Sequence, residues 1–366
     1  MVGVRGIPAT VGGAERVVEE LTRELTARGH EVTVYARRHY VQDQGPAAAG
    51  KVIVTPSLRG KHTEAITHTA TALIDLVLHN RVDLVHLHSP GPALLSWLPA
   101  LAGVPVVLTI HAADWLRGKW SAPAKAALRM GLSCGLRSAR AITTVSASLA
   151  AELSQEFHRP VHYVPNGVRI VPPRDTGLVK QWGLESGRYA LTVGRVVPEK
   201  RLDLLLKAWP GIEQSGGFRL AVAGDIQESD FARACRRQGG PGTVFLGPVY
   251  GDALLELYSN AALVILPSSL EGMSMVMLEA ASFGRCILAA DIPANRDVLG
   301  DSIVYFMGGD CVDLRGQILR LLADRETAGA MGRSARDVVQ SSYSWAVAAA
   351  RMEEIYIQAI RGQSMK

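Results

Sequence analysis

Short apolar, β-branched runs alternate with helical patterns along the whole chain, and no other feature limits the fold so sharply. In the first half the runs are Glu31–Ala36, Val52–Thr55, Leu84–His88, Pro105–Ile110, Ile142–Val145 and Val161–Val164. In the second they are Tyr189–Val193, Leu220–Ala223, Val244–Leu246, Leu263–Leu266 and Cys286–Ala289. Runs this short and this apolar suit strands covered on both faces, as in a parallel sheet flanked by helices. The fold class expected is therefore α/β, with doubly wound, Rossmann-like sheets. A length of 366 residues suggests two such domains. The Val171-Pro-Pro-Arg-Asp175 linker interrupts the pattern, because paired prolines stiffen the chain and end helix and sheet alike. The expected domains are residues 1–171 and 172–343, followed by a last helix within 344–366. That helix carries Trp345, Ala349, Met352, Ile355 and Tyr356 at helical spacing. Open α/β sheets bind ligands beyond the carboxyl ends of their strands. Two of them facing each other are expected to share a central cleft.

Composition narrows the function. Hydrophobic residues make up 48% and charged residues 20%, enough for large cores and incompatible with a disordered chain. The net charge of +5 and pI near 9.1 suit phosphorylated ligands or an anionic surface. No basic stripe interleaved with aromatics is present, so a nucleic-acid partner is not expected. The four cysteines, Cys134, Cys235, Cys286 and Cys311, are far apart and form no C-x-x-C, which fits a reducing cytosol. Met1–Arg5 does not read as a signal peptide. The longest apolar stretch, Leu94–Ile110, is broken by Pro99, Gly103 and Pro105 and reads as a buried helix, a turn and a strand. A cytoplasmic protein is expected.

Glu271 and Glu279 carry the most chemistry. Ala262–Pro267 before them reads as a buried strand, and the segment after Gly272 reads as a helix with Ser274 as N-cap. One carboxylate then lies at a strand-to-helix turn and the other in the helix. Eight residues of helical rise span at most roughly 12 Å. Two carboxylates flanking one hydrolysed glycosidic bond sit closer, at about 5–9.5 Å. The spacing suits a long ligand gripped at two places, with a helix N-terminus between them for an anion.

Three other motifs each have a plain structural reading beside the functional one. Gly12-Gly13-Ala14-Glu15 precedes a helix with Val17, Val18, Leu21 and Leu25 on one face. It is either a flexible turn or a place where backbone approaches a phosphate. Gly194-Arg195 at a strand end, followed by Glu199-Lys200-Arg201, sets two cations at the mouth of the second sheet. They are either solvated loop charges or partners for a diphosphate, and two flanking one strand exit favour the second reading. His111 ends an apolar strand, where a histidine is either structural or faces the ligand. On the preceding strand His86 reads as structural and His88 as a weaker ligand candidate. Asn166-Gly167 is a turn signal first. Neither D-x-D nor H-E-x-x-H occurs, so no metal and no cofactor is expected.

In this order the motifs resemble the retaining, nucleotide-sugar-dependent glycosyltransferases of family four, which have the GT-B architecture. The resemblance covers essentially the whole chain. It rests on Gly12-Gly13-x-Glu15, Gly194-Arg195 with Glu199-Lys200, Val164-Pro-Asn-Gly-Val168, Gly247-x-Val-x-Gly251 before Leu255 and Tyr258, and Glu271-x7-Glu279. Arg5-Gly-Ile-Pro8 and His111-x-x-Asp114-Trp-x-Arg117-x-Lys119-Trp120 look like a bacterial subgroup building exopolysaccharide or other surface glycans. The resemblance implies a hexose donor linked to UDP, GDP or dTDP, and a glycan or polyprenyl-linked acceptor. It implies that Gly12, Gly13 and Gly194 border the donor and that His111 contacts its sugar. Arg195 and Lys200 would bind the diphosphate. Glu271, with the backbone of Gly272, Met273 and Ser274, would hold the transferred sugar, and Glu279 the ribose. It also implies that the last helix braces the first domain. Two departures stand out: only Val2-Gly-Val-Arg5 stands where the family has a fuller first strand, and Ala112-Ala113 follows the histidine where the subgroup often has glycine. The second is expected to crowd the donor sugar slightly.

Two further functions remain open on the residues alone: a nucleotide-sugar epimerase or hydrolase, and a non-catalytic nucleotide-sugar binder. Arg117, Lys119, Lys125, Arg129, Arg137 and Arg140, interleaved with Trp115, Trp120, Leu128, Met130 and Leu132, form a basic amphipathic stretch. It is either a surface helix or a peripheral contact with an anionic membrane at the inner face of the plasma membrane.

Overall fold

Each of the apolar runs forms a strand, and all the strand pairs are parallel. The computed structural model describes residues 1–9, 12–41, 49–60, 63–79, 82–118, 120–213, 216–225 and 229–362. The chain divides into two units, Met1–Gly167 with Trp345–Lys366, and Val168–Ser344.

In the first unit the strands are β1 (Thr33–Arg37), β2 (Lys51–Thr55), β3 (Val85–His88), β4 (Val106–Ile110), β5 (Ala141–Thr144) and β6 (His162–Tyr163). β1 pairs with β2, and β3 to β6 pair in sequence order. The N-terminal segment fills the slot between β1 and β3. Tyr35 N–H donates to the Met1 carbonyl at 3.0 Å, and Val2 N–H to the His86 carbonyl at 2.9 Å. Only Val2 forms a strand-like bridge, to Leu87. Leu87, Leu108 and Ile142 on the sheet are fully buried against Leu73 of the Glu64–His79 helix and Leu132 of the Ala122–Ser138 helix.

The last helix, Trp345–Arg361, belongs to this unit. Its Met352, Ile355 and Ala359 pack on Val107, Ala141 and Val164. Glu353 adds ion pairs to Arg28 at 3.1 Å and His30 at 2.7 Å. Leu94–Ile110 departs from expectation. Its helical part is the short Trp97–Leu101 helix, with Trp97 47% and Leu101 80% exposed. A helix of five residues buries only one side, here Pro99.

The second unit holds β7 (Tyr189–Val193), β8 (Arg219–Ala223), β9 (Thr243–Gly247), β10 (Leu263–Leu266), β11 (Ile287–Ala290) and β12 (Val304–Phe306). Their order is β12-β11-β10-β7-β8-β9. The order of winding therefore reverses between β7 and β10, and in open parallel sheets that switch point is where ligands bind. β12 is a three-residue edge strand, too short to give a run in the sequence. Leu205, Leu220, Ile265, Leu288, Leu314 and Ile318 form the core. The units divide after Gly167, ahead of the Pro172-Pro173 pair. The linker is strapped to the second unit: Arg174 N–H donates to Ser259 Oγ at 2.9 Å, and Leu178 N–H to the Glu256 carboxylate at 2.7 Å.

Candidate active site

At the switch point, Gly194 leaves β7 with φ +146°, and Gly224 leaves β8 with φ +150°. A Cβ on Gly224 would lie 1.9 Å from the Gly194 carbonyl oxygen, so the two strand exits touch backbone to backbone. Beyond them opens a recess lined by Gly194, Arg195 and Lys200 on one side and Leu266, Pro267 and Ser268 on the other. Lys200 closes the single 3-10 turn Pro198–Lys200. Ser269 N–H donates to the Glu199 carbonyl at 2.9 Å and ties that turn to the loop after β10.

This tie brings together two side chains 71 positions apart: Lys200 Nζ lies 2.5 Å from Glu271 Oε1. Their side chains are only 26% and 12% exposed, so water screens the pair weakly. The contact was not legible in the sequence. Gly272, Met273 and Ser274 are buried and lead into the Met275–Ser282 helix. Ser274 Oγ accepts from Met277 N–H at 3.3 Å, which makes it the expected N-cap. Glu279 is nearly buried, and its Oε2 accepts from Tyr258 Oη–H at 2.8 Å. Tyr258 stacks on Phe283 at 6.0 Å. This carboxylate is thus held in place by a neighbouring helix, Gly251–Asn260.

The remaining candidates lie in the first unit. Gly12 has φ +106°, and a Cβ there would lie 2.2 Å from Glu15 Oε2. The Glu15 carboxylate accepts Arg5 N–H at 3.3 Å, so it holds the Arg5 loop against the turn. Among the described residues, a Cβ on Gly13 would meet nothing within 4 Å. The Gly13–Ala27 helix starts without a side-chain cap, leaving its N-terminal donors to other partners.

His111 follows β4 and joins a buried polar chain. His88 Nδ1 is 3.1 Å from His111 Nε2, and the two rings stack at 5.3 Å. His86 and His88 project from the same side of β3, with centroids 4.0 Å apart. His86 is pinned from both sides, by Thr109 Oγ1 at 2.6 Å and Tyr356 Oη at 2.6 Å. Burial pushes the pKa of His86 and His88 well below the ordinary histidine value and that of His111 down to about 4. All three are neutral near pH 7. His86 is structural, as its position in the sequence suggested. His88 is also fully buried, its ring in contact with those of His86 and His111. Ala112 and Ala113 are buried too, and their methyl groups pack inside the unit. The structure thus groups Gly194, Arg195, Lys200 and Glu271, places Glu279 on the adjoining helix, and leaves Gly12, Gly13 and His111 in the other unit.

Several cations of the basic stretch have partners within the chain. Arg117 Nε pairs with Asp114 at 2.7 Å, Arg129 pairs with Glu156 at 3.3 Å, and Arg140 donates to the Ala359 carbonyl at 2.9 Å. Lys119 lies outside the described residues. Among the described residues no helix is long and apolar enough to cross a membrane. Nor do they include a group of three or more His, Cys, Asp or Glu that could hold a metal ion.

Comparison with known proteins agrees with both units. Residues 11–170 match the Glycosyltransferase Family 4 domain, and residues 187–324 match the Glycosyl transferases group 1 domain. Among solved structures, sucrose-phosphate synthase from Thermosynechococcus elongatus superposes with a TM-score of 0.76 at 18% identity, covering 99% of this chain and 96% of that one. Anabaena HepE in complex with UDP and glucose gives 0.78 at 17% identity, covering 95% and 96%. The chain therefore has the GT-B fold, with a Glycosyltransferase Family 4 domain match in its first unit and a Glycosyl transferases group 1 match in its second. Relatives similar to it include glycogen synthase of Mycobacterium tuberculosis, 26% identical over 97% of this chain and 93% of that protein. N-acetyl-alpha-D-glucosaminyl L-malate synthase of Bacillus anthracis is 25% identical over 98% and 97%.

Proposed function

We propose that this glycosyltransferase moves a hexose from a nucleotide diphosphate sugar to a glycan or polyprenyl-linked acceptor, with retention of anomeric configuration. The observation that carries the reading is the Lys200–Glu271 pair beside Gly194 and Arg195 at the switch point of the second sheet. Arg195 and Lys200 take the diphosphate, and their charge stabilises the departing nucleoside diphosphate. Lys200 turns from Glu271 to the phosphate as the donor enters. Glu271 is then free to accept hydroxyls of the transferred sugar, next to the backbone of Gly272, Met273 and Ser274. Glu279, fixed by Tyr258, takes the ribose hydroxyls. Gly13 leaves room for the donor, and His111 contacts its sugar. The leaving phosphate accepts the proton of the acceptor hydroxyl, so electrostatic stabilisation from two cations and helix N-termini replaces a metal.

The nucleotides in solved complexes of the same fold support this reading. HepE was solved with UDP-glucose, and starch synthase IV from Arabidopsis thaliana with ADP and acarbose. A cytoplasmic enzyme in surface-glycan synthesis fits an acceptor on an anionic membrane, with exposed Leu116 and Met130 beside the basic stretch. The test is product analysis by NMR, with UDP-, GDP- and dTDP-hexoses and oligosaccharide or polyprenyl phosphate acceptors. A new glycosidic bond of the donor's configuration, formed equally in EDTA, is expected. A sugar altered with no acceptor present would instead identify an epimerase or hydrolase.

A further inference from the structure

His88 has no role in the proposed reaction, yet it is a fully buried imidazole whose Nε2 has no hydrogen-bond partner among the described residues. We propose that His88 is a positioning residue that fixes His111 as its Nδ1–H tautomer, so that His111 presents a hydrogen-bond donor to an oxygen of the bound sugar. The inference rests on the sugar contact of His111 proposed above. Between His88 Nδ1 and His111 Nε2, at 3.1 Å, one nitrogen must carry a proton and the other must not, because both rings are neutral. The choice is decided at the far side of His88. If His111 were the donor, His88 would carry its own proton on Nε2, as a buried N–H with nothing to receive it. Buried orphan N–H groups are rarer and costlier than bare acceptors. The proton therefore sits on His88 Nδ1, and the unpartnered Nε2 keeps only a lone pair. His111 Nε2 accepts, and His111 is protonated at Nδ1.

The support is rigid. His88 ends β3, paired with Thr109 of β4, and its N–H donates to the Val2 carbonyl at 2.9 Å. Its ring rests on His86, which Thr109 and Tyr356 hold. The last helix thus reaches His111 through Tyr356, His86 and His88. Free histidine favours the other tautomer, so the sheet imposes a choice that His111 would not make alone.

The experiment uses full-length protein labelled with 15N-histidine and long-range 1H–15N correlation near pH 7, with His111 assigned from His111→Asn. In the wild type His111 Nδ1 is expected to carry the proton. In His88→Leu it reverts to the Nε2–H form. In His88→Asn, whose amide nitrogen stands near the place of His88 Nδ1, the Nδ1–H form returns. Initial rates follow the tautomer: kcat/KM falls about tenfold in His88→Leu and stays within about threefold of wild type in His88→Asn. An Nε2–H tautomer in the wild type, or no change in His88→Leu, overturns the proposal. The NMR readout needs no substrate, so it stands or fails apart from the proposed activity. A switched tautomer with unchanged kcat/KM overturns the sugar contact instead. Should His88→Leu fail to fold, the wild-type tautomer and the Asn variant still decide.

Discussion

Replacing Glu271 with Gln should lower turnover while strengthening the binding of free nucleoside diphosphate. At 2.5 Å the Lys200–Glu271 pair has about 7 kcal/mol of Coulomb attraction for an effective dielectric near 20. Desolvation of both ions offsets most of that and leaves about 1.5–3 kcal/mol, the range of a charge-assisted hydrogen bond. A diphosphate that takes Lys200 must displace this partner. Glutamine fills the same space without the charge, so the competition weakens by about 1.5 kcal/mol, or about tenfold in Kd. The same substitution replaces a charged acceptor of the sugar hydroxyls with a neutral one. Losing about 1.5–3 kcal/mol there lowers kcat/KM by roughly ten- to a hundredfold. Calorimetric titration with UDP, GDP or dTDP gives the first number, and initial rates with the matching sugar nucleotide give the second. The two must move in opposite directions. If Glu271→Gln weakens nucleotide binding and turnover together, Lys200 is not being withheld by Glu271 and the exchange of partners is wrong.

Glu279→Ala should raise donor KM about tenfold with little change in kcat, and Tyr258→Phe should raise it about threefold by loosening the same carboxylate; steady-state kinetics separates these from a loss of kcat. The pKa values of His68 and His111 are lowered to about 4, and those of His86 and His88 also lie well below the ordinary 6.5. The unfolded chain then binds more protons than the folded one between about pH 4 and 6.5, so stability is complete above that window. It falls as the pH drops, by up to about 1.4 kcal/mol per unit for each histidine, and a flat Tm between pH 7.5 and 5 would contradict their burial as neutral rings. Gly224→Ala meets the Gly194 carbonyl at 1.9 Å in a backbone region closed to alanine, and should cost at least about 3 kcal/mol in urea unfolding. Gly13→Ala meets no atom of the described residues within 4 Å and should leave Tm unchanged, so a fall in its turnover reports crowding of the ligand.

What the sequence revealed and what it hid have physical causes. Most strands of both units were legible because buried parallel strands are apolar on both faces, and runs such as Pro105–Ile110 declare themselves whatever their neighbours are. The Ser274 N-cap was legible because capping is local chemistry. β12 stayed hidden because three edge residues, two of them half-buried, leave no periodic signal. Trp97 and Leu101 misled because apolar character alone does not say which side of a short helix meets the core. The candidate residues were found by type and position, but their couplings are tertiary. Lys200 meets Glu271 only because the Pro198–Lys200 turn is bonded to Ser269. His88 read as a weaker ligand candidate, and only the packing shows that its ring is covered. The H-x-H spacing on β3 was the one signal of that stack, since residues two apart share a face of a strand.

The central claim is that a nucleoside diphosphate sits at the carboxyl ends of β7 and β10, held by Arg195 and Lys200. Calorimetric titration of UDP, GDP and dTDP into wild type and Arg195→Ala tests it most directly. One of the three should bind the wild type in the micromolar range, its monophosphate far more weakly, and Arg195→Ala should weaken the diphosphate by about a hundredfold. Binding that is absent from the wild type for all three, or equal in the variant, would contradict the account.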